Sequence, residues 1–192
     1  RDIADSLDHL GVTARDLGEY ELARALWEQS LAIHRALGRE LNVHLDLWNL
    51  AQVARLSGEV ATARAWAEES LRIARETGSK EPIAHTLDEL RLVALKQSDW
   101  KTAHSLPRES LSLWLELGNH WGLAEALEGV AHVAVAQGEA ARAARLFGAA
   151  ERLRETIGRP HHPHERADYA QSIAGARTAL GDAAFAAAWA EG

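Results

Sequence analysis

The chain has 192 residues, 47% of them hydrophobic, and a formal net charge of −7. That charge, with no clustering of Lys and Arg, argues against direct nucleic-acid binding, and no apolar run approaches the roughly 20 residues that span a bilayer. With no cysteine present, disulfides, thiolate catalysis and cysteine-ligated zinc are excluded. The absence of Cys suits the cytosol, so a cytoplasmic location is expected. The chain has no methionine and opens on Arg1 in mid-phase of its repeat, as expected of a piece of a longer protein.

The sequence repeats every forty residues, without insertion or deletion, over four copies. Leu10, Leu50, Leu90 and Val130 share one phase, and Ala14, Ala54, Ala94 and Ala134 a second. Ala23, Ala63, Ala103 and Ala143 share a third, and Gly38, Gly78, Gly118 and Gly158 a fourth. A fixed period of this size marks a solenoid, whose units bury their apolar faces only by stacking. The repeats occupy 1–40, 41–80, 81–120 and 121–158, followed by capping helices over 159–192, all read as one continuous domain.

In repeat 1, Ile3, Leu7, Leu10, Ala14 and Leu17 recur at spacings of three and four, predicting a helix whose stripe faces the core. Gly18-Glu19 makes a turn, and a second helix over 20–37 points Ala23, Leu26, Ser30 and Ile33 inward before a left-handed cap at Gly38. Repeat 2 follows the same plan with Val43, Leu47, Leu50 and Ala54, a turn at Gly58-Glu59, and a helix over 60–77 that buries Ala63, Trp66, Ser70 and Ile73. Repeat 3 has Ile83, Leu87, Leu90 and Ala94, a turn at Ser98-Asp99, and a helix over 100–117 with Ala103, Leu106, Ser110 and Leu113 inward.

Repeat 3 also breaks two local rules. Pro107 lies inside its second helix and deletes the bond to Ala103, which predicts a kink. Arg91 replaces the small residue found at Gly11, Ala51 and Ala131, which should loosen the helix pairing unless its stem snorkels outward. In repeat 4 the turn is Gly138-Glu139, and the second helix, over 140–157, buries Ala143, Leu146, Ala150 and Leu153. Pro160 and Pro163 then interrupt the chain, and helices over 164–180 and 182–190 carry Tyr169, Phe185 and Trp189 to cover the end of the fourth repeat.

The residues Leu7-x-x-Leu10-Gly11, Gly18-Glu19-Tyr20, Ala23 and Trp27, echoed by Leu47-x-x-Leu50-Ala51, Gly58-Glu59-Val60 and Ala63, resemble the tetratricopeptide family. The usual repeat there is 34 residues, shorter than here, and alanine replaces the bulky aromatic often found late in the first helix. The resemblance implies an all-α, right-handed α-solenoid of four helix-turn-helix repeats plus C-terminal capping helices. The Ser-Leu-x-Ile-x-x-x-x-Gly endings at Ser30 to Gly38 and Ser70 to Gly78 look like those of large bacterial signalling ATPases. The stretch from Ala143 to Glu151, then Arg166-Ala167-Asp168-Tyr169 and the segment from Leu180 to Trp189, is similar to the end of the repeat region in actinobacterial LuxR-type and related ATP-binding regulators. That likeness implies a regulatory repeat region that senses a partner. A general scaffolding module is the alternative, and a helical-repeat enzyme a distant third.

No catalytic or cofactor-binding constellation stands out, and no residue is assigned as a metal ligand. His161, His162 and His164 sit in a proline-containing loop without a placed carboxylate and read as loop histidines facing solvent. The pairs Asp5/Asp8 and Glu125/Glu128 each share a helix face and read as solvated acids, because acid-base chemistry needs a cleft and shifted pKa values. Phosphate-cradling, His-Glu-x-x-His and nucleophile-elbow motifs are absent from the sequence. Trp27 and Trp66 read as core.

The family resemblance places an inner, concave wall opposite the core stripe of each first helix. Transferred to this chain, it holds Asp5, Asp8, Val12, Arg15 and Asp16 in repeat 1, and Leu45, Trp48, Gln52, Arg55 and Leu56 in repeat 2. Repeat 3 adds His85, Asp88, Leu92, Leu95 and Lys96, and repeat 4 adds Glu125, Glu128, His132, Val135 and Ala136. An apolar centre flanked by Arg15, Arg55 and Lys96 implies a protein or peptide partner with an apolar segment and an acidic group, another domain of the same parent included. A small-molecule effector is a further partner class; no membrane contact is expected.

Overall fold

The computed structural model describes residues 3–161 and 166–192, without the Asp168 side chain. His162, Pro163 and His164, and the expected helix start at 164, lie outside the described residues. Every regular element among the described residues is an α-helix, and none is long and apolar enough to cross a membrane. The chain divides into two compact units, Arg1–Gln97 and Ser98–Gly192.

The first unit contains α1 (Ile3–Asp16), α2 (Tyr20–Ala36), α3 (Glu40–Leu56), α4 (Val60–Thr77) and α5 (Lys80–Lys96). Each helix packs on the next, and α3 also packs on α5, as stacked helix pairs require. Ala23 and Ala63 are wholly buried, and so is Trp27, whose indole edge lies where a Cβ on Gly11 would stand only 2.6 Å away. The core gathers Ala14, Ala23, Trp27, Leu31, Val43, Leu47, Leu50 and Val53, and Trp66 packs against both this cluster and the smaller one of Ala54, Ala63 and Val93. Trp66 is nonetheless only partly buried, with the Arg24 guanidinium 5.1 Å over its ring, so the fully buried tryptophan of this unit is Trp27.

The stripe predicted for α1 needs correction. Leu10 is 56% exposed, and Ile3 and Leu17 are exposed too, while Ala4, Gly11 and Ala14 face the core. The same phase is buried at Leu50 and Leu90 because α3 and α5 have helices on two sides, whereas α1 packs on α2. Arg91 is buried instead of snorkelling outward.

The second unit contains α6 (Trp100–Ser105), α7 (Pro107–Leu117), α8 (His120–Ala136), α9 (Ala140–Ile157), α10 (Arg166–Leu180) and α11 (Asp182–Glu191). The expected break at Pro107 is there: the helix over 100–117 divides at Leu106, and Pro107 takes the first position of α7, where its missing N–H is harmless. Tyr169, Phe185 and Trp189 pack on the cluster of Ala131, Ala134, Ala143 and Phe147, with Tyr169 edge-on to Phe147 at 5.4 Å. The cap thus covers α9, and Gly148 admits the Trp189 backbone where any side chain would collide with it.

Glycine supplies the left-handed residue at Gly18, Gly58 and Gly138, but Ser98 fills the same phase at φ 57°. A non-glycine residue there costs about 1–2 kcal/mol, partly offset because glycine loses more backbone entropy on folding. Ser98→Gly is therefore expected to stabilise the protein by roughly 0.5–1 kcal/mol, read as a higher urea midpoint at unchanged slope.

Candidate functional site

The first helices of the first unit, α1, α3 and α5, place their expected wall residues side by side, but only some remain open. Leu45 is 40% exposed, Val12 is exposed, and Trp48, His85, Leu92 and Leu95 are partly exposed. Lys96 is exposed at the end of α5. The Trp48 and His85 rings meet at a tilt of 49° with centroids 5.1 Å apart, joining α3 to α5. Burial, followed by the charge of His44, pushes the His85 imidazole down to about 4. His85 is therefore neutral near pH 7, and its tilted contact with Trp48 is one between uncharged rings.

The charged wall residues behave differently from the expectation. Arg15, Gln52, Arg55 and Asp88 are buried. The Arg15 guanidinium donates to Gln52 Oε1 at 2.9 Å and pairs with Asp16 at 3.1 Å. Arg55 donates to both carboxylate oxygens of Glu89, at 2.6 and 3.3 Å. These side chains link successive first helices instead of presenting a basic rim, so Arg55 is not an anchor for an acidic partner group. The wall of this unit is mainly apolar and aromatic.

In the second unit Glu125 and His132 are half-buried and Glu128 is buried. Arg154 of α9 holds Glu128 through two hydrogen bonds of 2.5 and 2.8 Å, and His161 lies 2.9 Å from the same carboxylate. Burial alone would raise the Glu128 pKa, but hydrogen bonds from Arg154 and His161 and their charges bring it below its ordinary value. Glu128 is thus an internal anchor and not a solvated acid, and His161 is a half-buried bonding partner stacked on Tyr169 at 3.9 Å, not a loop histidine facing solvent. Tyr169 in turn donates to Glu151 at 3.0 Å. Asp8 also departs from the solvated reading: its Oδ1 is buried and without a hydrogen-bond partner.

Residues 2–76 match the family model described as tetratricopeptide repeat. The fold is similar to that of BtubC (BKLC) from P. vanneervenii, with a TM-score of 0.72 and 18% identity over 96% of this chain and 76% of that one. It is also similar to a kinesin light chain with nearly identical TPR-like repeats from Podosopora anserina, with a TM-score of 0.68 and 20% identity over 97% of this chain and 91% of that one. No curated protein matches the sequence.

His85 generates a pH prediction. Its folded pKa lies below the 6.5 of a free imidazole, so between about pH 6.5 and 4 the unfolded chain binds a proton that the folded chain refuses, and stability falls as the pH is lowered through that window. Urea midpoints measured from pH 7.5 to 4.5 should decline less steeply for His85→Gln than for the unaltered chain. Residues 2–76 thus match the tetratricopeptide repeat model, and the all-helical fold is similar to that of these repeat proteins.

Proposed function

We propose that the chain is a non-catalytic protein-interaction module whose binding face is the apolar wall of the first unit. Tetratricopeptide repeats generally mediate protein–protein interaction, and residues 2–76 match that family. The observation that carries the assignment to this face is the exposure of Leu45 and Val12 beside the Trp48–His85 ring contact, while the neighbouring Arg15, Gln52 and Arg55 are buried in contacts between helices. An apolar, aromatic surface held rigid by polar contacts beneath it suits an amphipathic helix or extended peptide with apolar anchors. The wall residues of the second unit, Glu125, Glu128 and His132, are assigned to its internal packing.

The finer part of the proposal concerns the parent. The Ser-Leu-x-Ile-x-x-x-x-Gly endings and the segment from Leu180 to Trp189 support a regulatory repeat region of a bacterial signalling ATPase or transcription regulator. There the repeats would favour one of two states until a protein or small effector binds. In a parent of this kind a Gly-x-x-x-x-Gly-Lys-Ser/Thr loop lies elsewhere in the chain, whereas a scaffold would carry further repeats in its place.

The face is tested with helical peptides selected for binding from a displayed library. Leu45→Asp alters an exposed position and should leave stability within about 0.5 kcal/mol, while weakening the selected peptides at least about tenfold; Trp48→Ala should weaken them by about 2 kcal/mol or more. Peptides that bind both variants as well as they bind the unaltered chain would place the binding face elsewhere.

A further inference from the structure

One pair of positions recurs through the repeats with different chemistry at each copy. Positions 8 and 34 of the repeat are Glu128 and Arg154 in the fourth copy, where the acid is matched by a guanidinium through two hydrogen bonds. In the second copy they are Trp48 and Ala74, with no charge. In the first copy they are Asp8 and His34, and a second acid, Asp46 of α3, reaches the same place. Two carboxyl groups and one imidazole thus converge where the fourth copy has one carboxylate, one fixed cation and the His161 imidazole.

The cluster draws one side chain from each of α1, α2 and α3. The atoms able to ligate a metal, one from each of Asp8, His34 and Asp46, all lie within 4.8 Å of one another. His34 Nδ1 is 2.7 Å from Asp46 Oδ2 and 3.3 Å from the Ser30 hydroxyl. His34 and Asp46 are wholly buried, whereas Asp8 is partly exposed and opens the cluster to solvent. Asp8 Oδ1, Asp46 Oδ1 and His34 Nε2 are each buried and without a hydrogen-bond partner. Three unsatisfied polar atoms in one place are costly and rare in folded proteins.

We propose that Asp8, His34 and Asp46 form a binding site for a divalent first-row transition-metal ion, with Zn²⁺ as the representative case. Two carboxylates balance the charge of such an ion, and a mixed oxygen and nitrogen donor set suits zinc, cobalt or manganese. Bonds of about 2.0–2.2 Å to three ligands separate the donor atoms by roughly 3–4 Å, which the cluster meets once the His34–Asp46 contact opens slightly. Water entering past Asp8 completes the coordination, and the Ser30 hydroxyl lies within reach of the same group. The bound ion cross-links α1, α2 and α3, fixing the first helix pair against the second.

The test uses the full chain, without an affinity tag and stripped with a chelator, titrated with Zn²⁺ in a calorimeter and with Co²⁺ by visible absorption. The expected result is one ion per chain, with a rise in melting temperature on addition of Zn²⁺. Asp46→Asn keeps the side-chain shape and removes a ligating carboxylate, so it should fold, as circular dichroism would confirm. It should bind at least tenfold more weakly and show no rise in melting temperature, and Asp8→Asn, at a partly exposed position, should behave the same way. Failure of the unaltered chain to bind either ion, or binding that is equal in both Asn variants, would overturn the proposal. In the first case the cluster is a proton-sharing network, and in the second the metal sits on other histidines.

Discussion

The structure depends on how closely the two helices of a repeat can approach, and small residues at fixed points set that distance. Ala23, Ala63, Ala103 and Ala143 are all wholly buried. Where one helix carries a large side chain at the crossing, its partner gives way. Trp27 lies against Gly11 of its own repeat, and in the second unit, between the third repeat and the fourth, the Trp114 ring occupies the space that a side chain on Gly122 would need. Interiors are packed too tightly to absorb an added methyl group without a shift, so the small positions fix the helix axes, and the axes fix which side chains reach the surface.

On that framework, polar side chains join one repeat to the next at a nearly constant offset. Arg24 reaches Glu59 at 2.8 Å, Arg35 reaches Glu69 at 2.8 Å, Arg55 reaches Glu89 at 2.6 Å and Arg64 reaches Gln97 at 2.7 Å. The exposed pairs contribute little individually. Arg55–Glu89 is different, because both side chains are buried and removing either one strands a charge. Its consequence for function is indirect: by occupying the cation of α3 internally, it leaves Leu45 and Trp48 to define the open face. Strict retention of a forty-residue period keeps each Arg opposite its acceptor, whereas an inserted residue would misplace all of them.

The helices, the turns and the break at Pro107 were legible because each depends on residues within one repeat, and four aligned copies repeat the signal. Leu10 was misread because a helical stripe does not say whether a second helix covers it. The wall was half legible. Its apolar members, Leu45 and Trp48, follow from helix phase, but the burial of Arg15, Gln52 and Arg55 depends on partners 34 and 37 residues away. A search for Arg with Glu or Gln at that offset would have found them. His161 was missed for the same reason, since Glu128 precedes it by 33 residues. His34 left a fainter trace: it follows Ser30 by one helical turn, beside an apolar stripe, and a polar residue at such a phase needs a partner.

The most direct measurement compares one chemical change at two neighbouring positions of α4. Ala63 is wholly buried at the helix crossing and Ala61 is exposed. If small residues set the helix spacing, Ala63→Leu should destabilise the protein by about 1–3 kcal/mol or more, while Ala61→Leu stays within about 0.5 kcal/mol of the unaltered chain. Equal effects of the two substitutions, or an Ala63→Leu protein with an unchanged unfolding midpoint, would contradict the account.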